Sequence, residues 1–258
     1  MKPRHTLFRR LLRWLVALLL FAVAASWLLV LVLRFVPPPT SAVMLERLAS
    51  QHWHGHVQFH IRQHWVPWRA ISPWAPLAVM AGEDQKFPFH HGFDLESIQQ
   101  AIDAADDGAR LRGASTISQQ TAKNLFLWNG RSFVRKGLEA YFTVLLELTW
   151  PKQRILEVYL NIAEFGDGIY GVDAASRAFF HVAPARLDAA QAARLAAVLP
   201  SPRRLHADAP STYVLRRSNW IMQQMTQLGG PAFLDTLQTA SPPRAGSHHG
   251  NTPARTPG

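Results

Sequence analysis

The sequence has 258 residues, of which 48% are hydrophobic, and it carries 27 Lys and Arg against 17 Asp and Glu. This composition is typical of one well-buried domain with appendages, and it excludes disorder over most of the chain. The sequence contains no cysteine. Disulfide bonds, a thiol nucleophile and thiolate metal sites are therefore excluded, while the cellular compartment stays open.

Basic residues are concentrated at the amino terminus. Without the six that precede the first acidic residue, Glu46, the net charge falls from +10 to +4. They flank an apolar run, and the sequence has neither zinc-finger spacing nor an aromatic RNA-binding motif. The charge therefore indicates membrane topology, and we expect no nucleic-acid partner. The six residues are Lys2, Arg4, Arg9, Arg10, Arg13 and Arg34.

The apolar run, Trp14 to Leu33, contains 20 residues without a charge. At about 1.5 Å per residue, such a helix spans a hydrocarbon core of about 30 Å. A cleaved signal peptide is the alternative, but its apolar region is only about 7–15 residues long. By the positive-inside rule, residues 1–13 are predicted to be cytoplasmic, residues 14–35 to form a retained anchor, and the rest to lie outside the cytoplasm.

Residues 36–70 are predicted to form a juxtamembrane segment. Three prolines at 37–39 end the anchor helix. Four tryptophans and five histidines follow within residues 52–74, and aromatic rings with polar edges suit the membrane interface. A small aromatic core is the alternative. The irregular histidine spacing, without an HExxH motif, argues against a zinc site.

Helix signals dominate residues 71–235, and no stretch alternates as a β-strand. Helix starts are predicted at Ser72-Pro73, Asp94, Ser115, Ser132 and Pro151, from their capping preferences. Later helices are predicted over residues 174–180, 189–199 and 213–228. Residues 236–258 are predicted to form a disordered tail, because their Pro, Gly, Ser and His content cannot bury a core.

Glu83 and Asp84 end the first predicted helix and are followed by aromatic residues. A glutamate withdrawn from water in this way has a raised pKa and is a competent general base or acid near neutral pH. The alternative is that the acidic residues fray the end of the helix into solvent.

A polar run, residues 113–124, opens another predicted helix with the sequence GASTISQQTAKN. Free N–H groups at a helix N-terminus favour anions, and Lys123 and Arg131 would add positive charge beside a phosphate. A simple N-cap is the alternative, and it explains Ser115 but not the density of Ser, Thr and Gln.

Arg135 and Glu139 lie four residues apart on a predicted helix face. Taken alone, this spacing indicates a surface ion pair worth about 0.3–0.5 kcal/mol. If the pair lay in a cleft, a carboxylate surrounded by cations would instead suit a site that binds charged groups.

Five ordered blocks resemble the glycosyltransferase family 51 peptidoglycan polymerases, over roughly residues 70 to 235. Ala114 and Ser118 stand where glycine and threonine are usual in that family. Gln100 stands where some relatives carry arginine, which puts one phosphate contact in doubt. The blocks are residues 83–94, 113–127, 135–139, 152–161 and 168–175.

The resemblance implies a mainly α, lysozyme-like catalytic domain at residues 71–235, with a small membrane-facing lobe, behind one transmembrane helix. It implies polymerisation of lipid II into β-1,4-linked glycan strands with inversion and release of undecaprenyl pyrophosphate. Transpeptidase activity is not expected, since no Ser-x-x-Lys motif occurs.

The resemblance also implies roles for individual residues. Glu83 would be the general base on the acceptor hydroxyl, and Glu139 the second essential carboxylate. The residues expected to bind substrate are Lys123, Arg131, Ser115, Thr116, Gln119, Gln120, Arg135 and Lys136. The residues expected to support the site are Asp84, Lys152, Glu157, Tyr159 and Asn161. No cofactor is required and no metal cage is expected, although Mg²⁺ or Mn²⁺ would be able to assist the pyrophosphate.

The implied partners are lipid II, the growing lipid-linked glycan, the membrane and other cell-wall synthesis proteins. The implied location is the bacterial inner membrane, with a single pass and a periplasmic catalytic domain. A muramidase on a similar fold is the alternative function, and it would use Glu83 as an acid without a pyrophosphate site. A non-catalytic membrane scaffold is a third class, but it would not need these carboxylates and phosphate-binding residues together.

Residues 126–133, FLWNGRSF, set large apolar side chains beside the proposed phosphate-binding residues. In a soluble protein we would expect such a cluster in the core. For a substrate held in a bilayer, we expect this segment to dip into the membrane interface.

Overall fold

The computed structural model describes residues 4–55, 58–96, 99, 115–130 and 132–239, and this part of the chain is mainly helical. The predicted mainly α class is therefore confirmed. Helix α1 (Arg4–Leu33) includes a stretch, Phe8–Leu33, with a mean hydropathy of 2.9 that is long and apolar enough to cross a membrane. Its side chains are almost all exposed, so it is not the core helix of a soluble domain.

Helix α2 (Ala42–Trp53) lies within the predicted juxtamembrane segment. Ser41 caps it by accepting a hydrogen bond from Met44 N, and Val43 and Met44 are buried. The segment also contributes Trp65 and Trp68 to the packing around the core, whereas Trp53 is 89% exposed. The described residues between 42 and 70 are thus part of the helical domain, because they bury apolar surface against it.

The remaining helices begin close to the predicted capping residues. Ser132, Pro151 and Asp188 are N-caps as expected, whereas Thr116 rather than Ser115 caps its helix. The helix predicted after Asp94 lies mostly outside the described residues. The bounds are α3 (Trp74–Glu83), α4 (Ile117–Phe126), α5 (Phe133–Thr149), α6 (Lys152–Ile162), α7 (Val172–Phe180), α8 (Ala189–Val198), α9 (Thr212–Gln227) and α10 (Thr236–Thr239), with 3₁₀ turns at Trp68–Ala70, Pro184–Arg186 and Gly230–Asp235.

A small three-stranded sheet corrects the expectation that no strand occurs. Its order is β1 (Arg62–Gln63), β3 (Ile169–Tyr170), β2 (Glu164–Gly166), with β1 parallel and β2 antiparallel to β3. Gly171 follows β3 with a φ of 81°, and a Cβ there would lie 2.7 Å from the Asn161 carbonyl oxygen. Strands of two or three residues are too short to show an alternating pattern.

Helix α3 lies in the centre of the domain, where Ala75 to Ala81 are all buried. A helix that is apolar on every side must be surrounded, and α3 packs against α8 and α9. Gly82 permits α9 to approach α3 closely, because a Cβ at Gly82 would lie 3.1 Å from the Ile221 side chain of α9. Glu83 therefore lies at the end of a helix that other helices enclose.

The predicted start of the tail at residue 236 is too early. Thr236–Thr239 form α10, and Leu237 is only 1% exposed within the core cluster. This single buried leucine extends the fold, and the rest of the predicted tail, residues 240–258, lies outside the described residues.

Candidate active site

Glu83 is held by two side chains from different helices. Its Oε2 accepts a hydrogen bond from Gln120 Nε2 of α4 at 3.0 Å, and its Oε1 accepts one from Arg217 Nη2 of α9 at 3.3 Å. Burial raises the pKa of Glu83, although the Gln120 hydrogen bond and the Arg217 charge lower it in part. The predicted raised pKa is confirmed, and the frayed helix end is wrong.

Gln120 is oriented by a buried tyrosine of α6. Tyr159 Oη donates to Gln120 Oε1 at 3.1 Å, which leaves the amide NH₂ of Gln120 to face Glu83. Burial raises the pKa of Tyr159 well above its ordinary value, so its hydroxyl stays protonated and remains a donor. The Glu83 carboxylate is thus fixed through a chain of two hydrogen bonds.

Asp84 points away from Glu83 and anchors the start of α4. Its Oδ2 accepts from Ile117 N at 2.9 Å and from His90 Nε2 at 3.0 Å. Because His90 Nδ1 accepts from Gly92 N at 3.1 Å, the ring proton belongs on Nε2. Asp84 therefore orients the backbone around Glu83.

The N-terminus of α4 is already satisfied by protein groups. Thr116 and Gln119 form a reciprocal capping box, and Thr116 Oγ1 also donates to Gly92 O at 2.7 Å. With Asp84 on Ile117 N and Thr116 Oγ1 on Gln119 N, protein groups occupy two of the first three backbone N–H groups of this helix, and the anion site expected at this terminus stays a prediction. Ser115 is exposed, whereas the side chains of Thr116 and Gln119 are committed to the cap.

Glu139 is buried rather than paired at the surface. It is 4% exposed on α5, and it accepts hydrogen bonds from Arg135 Nη1 at 2.7 Å and from Lys136 Nζ at 2.5 Å. The Arg135 side chain is 12% exposed, whereas that of Lys136 is 53% exposed. The interpretation of a surface ion pair is therefore wrong, and Glu139 lies among cations in a cleft.

Lys123 is a half-buried cation within electrostatic reach of both carboxylates. Burial lowers its pKa most strongly, the negative charges of Glu139 and Glu83 raise it, and the cations Arg135 and Lys136 lower it. The pKa of Lys123 thus depends on the charges of both Glu83 and Glu139. Arg131, the other residue predicted to hold pyrophosphate, lies outside the described residues.

A second buried charge cluster supports the site behind α4. Lys152 Nζ donates to Glu147 Oε1 at 2.8 Å and to His90 O at 2.5 Å, while Ser118 Oγ donates to the same Glu147 oxygen. Burial lowers the pKa of Lys152, and Glu147 opposes that effect. Sequence reasoning included Lys152 but missed Glu147 and His90.

Glu157 and Asn161 on α6 hold the segment that follows β1. Asn161 Oδ1 accepts from Val66 N at 2.8 Å and its Nδ2 donates to Val66 O at 3.0 Å, while Glu157 Oε1 accepts from Trp68 N at 2.8 Å. Neither side chain faces Glu83 in the described contacts, so both support the scaffold.

A cavity of about 230 Å³ opens beside the site and is lined by Gln120, Lys123, Asn124 and Tyr159, with α2 as one wall. A wider depression of about 550 Å³ shares Asn129 and Arg203 with it. Within the described ranges, no group of three or more His, Cys, Asp or Glu residues is placed to hold a metal ion. The lining of the smaller cavity is rich in cations, Lys123 and Arg203, and in side-chain amides, Gln120, Asn124 and Asn129.

The apolar side chains of residues 126–133 are only partly exposed. Phe126 stacks on Phe142 at 4.4 Å between ring centroids and is partly buried against the core, and Leu127 is 2% exposed. Trp128 and Phe133 are 48% and 98% exposed. The expectation that all four apolar side chains meet the membrane is wrong for the first two, because α4 and α5 bury them.

Residues 51–226 match a protein-family model described as Transglycosylase. A biosynthetic peptidoglycan transglycosylase of Chromohalobacter salexigens is 58% identical over 229 residues, which cover 89% of this chain and 97% of that protein. Proteins of the same name from Xanthomonas euvesicatoria and Pseudomonas fluorescens are 56% and 52% identical, each over 90% of this chain and over 93% and 96% of their own lengths.

Proposed function

The chain belongs to the transglycosylase family, and from this premise we propose the chemistry of its site. The protein is a peptidoglycan glycosyltransferase of cell-wall synthesis. In our proposal its donor is the growing glycan linked to undecaprenyl pyrophosphate, its acceptor is lipid II, and its product is a β-1,4-linked strand. One observation carries this proposal: Gln120, which donates to the Glu83 carboxylate, lines the same cavity as the half-buried cation Lys123.

Glu83 acts as the general base. It takes the proton of the acceptor hydroxyl while that oxygen attacks the anomeric carbon of the donor. The new C–O bond forms as the bond to pyrophosphate breaks, and the electron pair leaves with the pyrophosphate. Attack on the face opposite the leaving group inverts the anomeric centre. Gln120 and Arg217 hold the carboxylate for this step.

Lys123 stabilises the leaving group. Negative charge grows on the pyrophosphate as the bond breaks, and a positioned cation in a cleft lowers the energy of that state. Glu139 fixes Arg135 and Lys136 beside Lys123, and the half-exposed Lys136 is able to turn toward a phosphate. Since the described residues offer no metal-ligand cluster, we assign no step to a metal ion.

The muramidase alternative uses Glu83 as an acid on a neutral glycan. Such an enzyme gains nothing from a buried cation, because its leaving group is not a pyrophosphate. Lys123 therefore favours transfer over cleavage. Incubation of the full chain with lipid II should give a ladder of lipid-linked polymers, and incubation with mature glycan should release no fragments. Release of fragments without chain growth would reverse the assignment.

The membrane placement is also part of the proposal. Helix α1 would span the inner membrane once, with the amino terminus in the cytoplasm and the domain in the periplasm. Exposed Phe133 and Val134 at the start of α5, together with Trp128, would enter the headgroup region. This orientation places the cleft at the depth where a lipid-linked pyrophosphate lies.

A further inference from the structure

The last third of α1 is docked on the catalytic domain. Ser26, Val30 and Leu33 are four and three residues apart and therefore share one face of the helix. Val30 and Leu33 are 0% and 8% exposed, and Ser26 Oγ lies 2.7 Å from Tyr141 Oη of α5. The contact runs for about 10 Å along α1, at about 1.5 Å per residue.

Side chains of the domain also satisfy the carbonyl groups at the end of α1. Trp150 Nε1 donates to Val30 O at 2.8 Å. Arg154 Nη2 donates to Leu33 O at 2.8 Å and to Val36 O at 2.9 Å. Val30 O also accepts from Arg34 N at 3.1 Å, whereas for Leu33 O, one of the last four carbonyls of the helix, Arg154 supplies a partner that in a simple tether would be water. Here the domain caps its own anchor.

Arg154 makes several contacts within this junction through its two terminal nitrogens and its guanidinium plane. Its side chain is 11% exposed, and its Nη1 donates to Glu157 Oε2 at 2.8 Å. The guanidinium lies 5.1 Å from the Trp65 ring centroid and 5.8 Å from that of Trp150. A single guanidinium thus joins the end of α1, the segment after β1 and helix α6.

We propose that Arg154 is a positioning residue that locks the membrane anchor to the catalytic domain and so sets the height and tilt of the cleft over the bilayer. The inference rests on the proposed function, in which both substrates are held in the membrane. Arg154 lies on the same helix as Tyr159, which orients Gln120 on Glu83. The junction and the active site therefore share one rigid element.

A rigid junction between α1 and the domain has a physical effect that a flexible tether would not have. A lipid-borne pyrophosphate is confined to the headgroup depth, whereas a freely tilting domain would present its cleft there only part of the time. A misplacement of about 1 Å can cost about a hundredfold in rate. Holding α1 rigidly removes that loss for substrates in the bilayer but gives no advantage for a substrate in free solution.

The test uses the full chain in vesicles of phosphatidylethanolamine and phosphatidylglycerol. Because the sequence contains no cysteine, spin labels attach only at introduced sites, Leu20→Cys on α1 and Ala185→Cys on the domain. Both positions are exposed. Arg154→Ala is compared with Arg186→Ala, a matched control at an exposed arginine outside the junction.

We expect a narrow distance distribution between the labels in the unaltered junction and in the control, and a broad one in Arg154→Ala. Turnover of lipid II in vesicles should fall about tenfold in Arg154→Ala, whereas turnover of a short-chain, water-soluble analogue should stay unchanged. A narrow distribution in Arg154→Ala, or an equal loss with both substrates, would overturn the proposal.

A second variant covers the case in which Arg154→Ala does not fold. Val30→Trp changes only the anchor, and its bulk prevents docking on α5 because Val30 is fully buried there. Val30→Trp should give the same broad distance distribution between the labels and the same loss of turnover, confined to lipid II. A distance distribution as narrow as that of the unaltered junction would overturn the proposal. If the wild-type protein made no polymer, the proposed function would fail while the distances still tested the lock.

Discussion

Glu83 and Arg217 are 134 positions apart in the chain, yet Arg217 Nη2 lies 3.3 Å from Glu83 Oε1. The same guanidinium nitrogen also donates to Gly82 O at 3.2 Å, so it is fixed to the backbone at the end of α3. Arg217 opposes the effect of burial on Glu83. The pKa of the general base is therefore set by burial, which raises it, and by the Gln120 hydrogen bond and the Arg217 charge, which lower it.

Replacing Glu83 by Gln should abolish turnover while lipid II binding stays nearly intact. The change removes the base but keeps a similar shape, and a general base typically contributes about 10²–10⁴ in rate. Steady-state polymerisation and equilibrium binding to lipid II in detergent measure the two effects. Asp167→Asn, at a carboxylate that is 58% exposed and pairs with Arg47, is the control and should keep full activity.

Replacing Arg217 by Ala should move the acidic limb of the pH–rate profile to higher pH. Arg217 lowers the pKa of Glu83, so its removal raises that pKa further. A general base works only when it is deprotonated, and the rate therefore rises later as pH increases. The profile of kcat/KM against pH measures this, with the exposed neighbour Arg216→Ala as the control. A shift toward lower pH would contradict the assigned role.

Replacing Lys123 by Ala should weaken donor binding and also slow turnover. Its ammonium group acts on the pyrophosphate both before and during bond cleavage, unlike Glu83. Polymerisation rates at varied donor concentration separate the two effects. If Lys123→Ala and Glu83→Gln gave the same modest loss confined to apparent affinity, both roles would be wrong.

Membrane contact by the loop after α4 should depend on Trp128 and Phe133 but not on Phe126. In a chain lacking residues 1–36, the double change Trp128→Ser and Phe133→Ser should release the domain from liposomes with its melting temperature nearly unchanged. Phe126→Ser should instead lower the melting temperature, because it removes the ring that stacks on Phe142 and packs against the core. Liposome flotation and thermal unfolding check both results. Retained binding in the double variant would show that this loop does not anchor the domain.

Much of the helical framework could be predicted, because each helix start carries its own local signal. Asp188 and Ser132 cap their helices with their own side chains, so the residue type at one position is enough. The raised pKa of Glu83 could also be anticipated, since an apolar helix leads directly into it. These features depend on neighbours in the sequence.

The contacts that complete the site could not be predicted in the same way. Arg217 and Glu147 reach Glu83 and Lys152 only because the packing of the helices brings them together, and neither position has a local pattern that marks it. The capping contacts of Thr116 could not be predicted for a related reason. Its hydroxyl would suit a phosphate equally well, and only the fold shows that Gly92 O and Gln119 N occupy it.

The junction between α1 and the domain has a consequence for how the anchor can vary in evolution. Trp150 and Arg154 bind carbonyl groups, which every amino acid supplies, so most of the anchor is free to change its apolar residues. What must be conserved is the phase of the helix. One inserted residue before Val30 would rotate the preceding turns by about 100° relative to the docked face. Natural variants should therefore tolerate substitution at the exposed positions of this helix far better than a change of its length near Ser26.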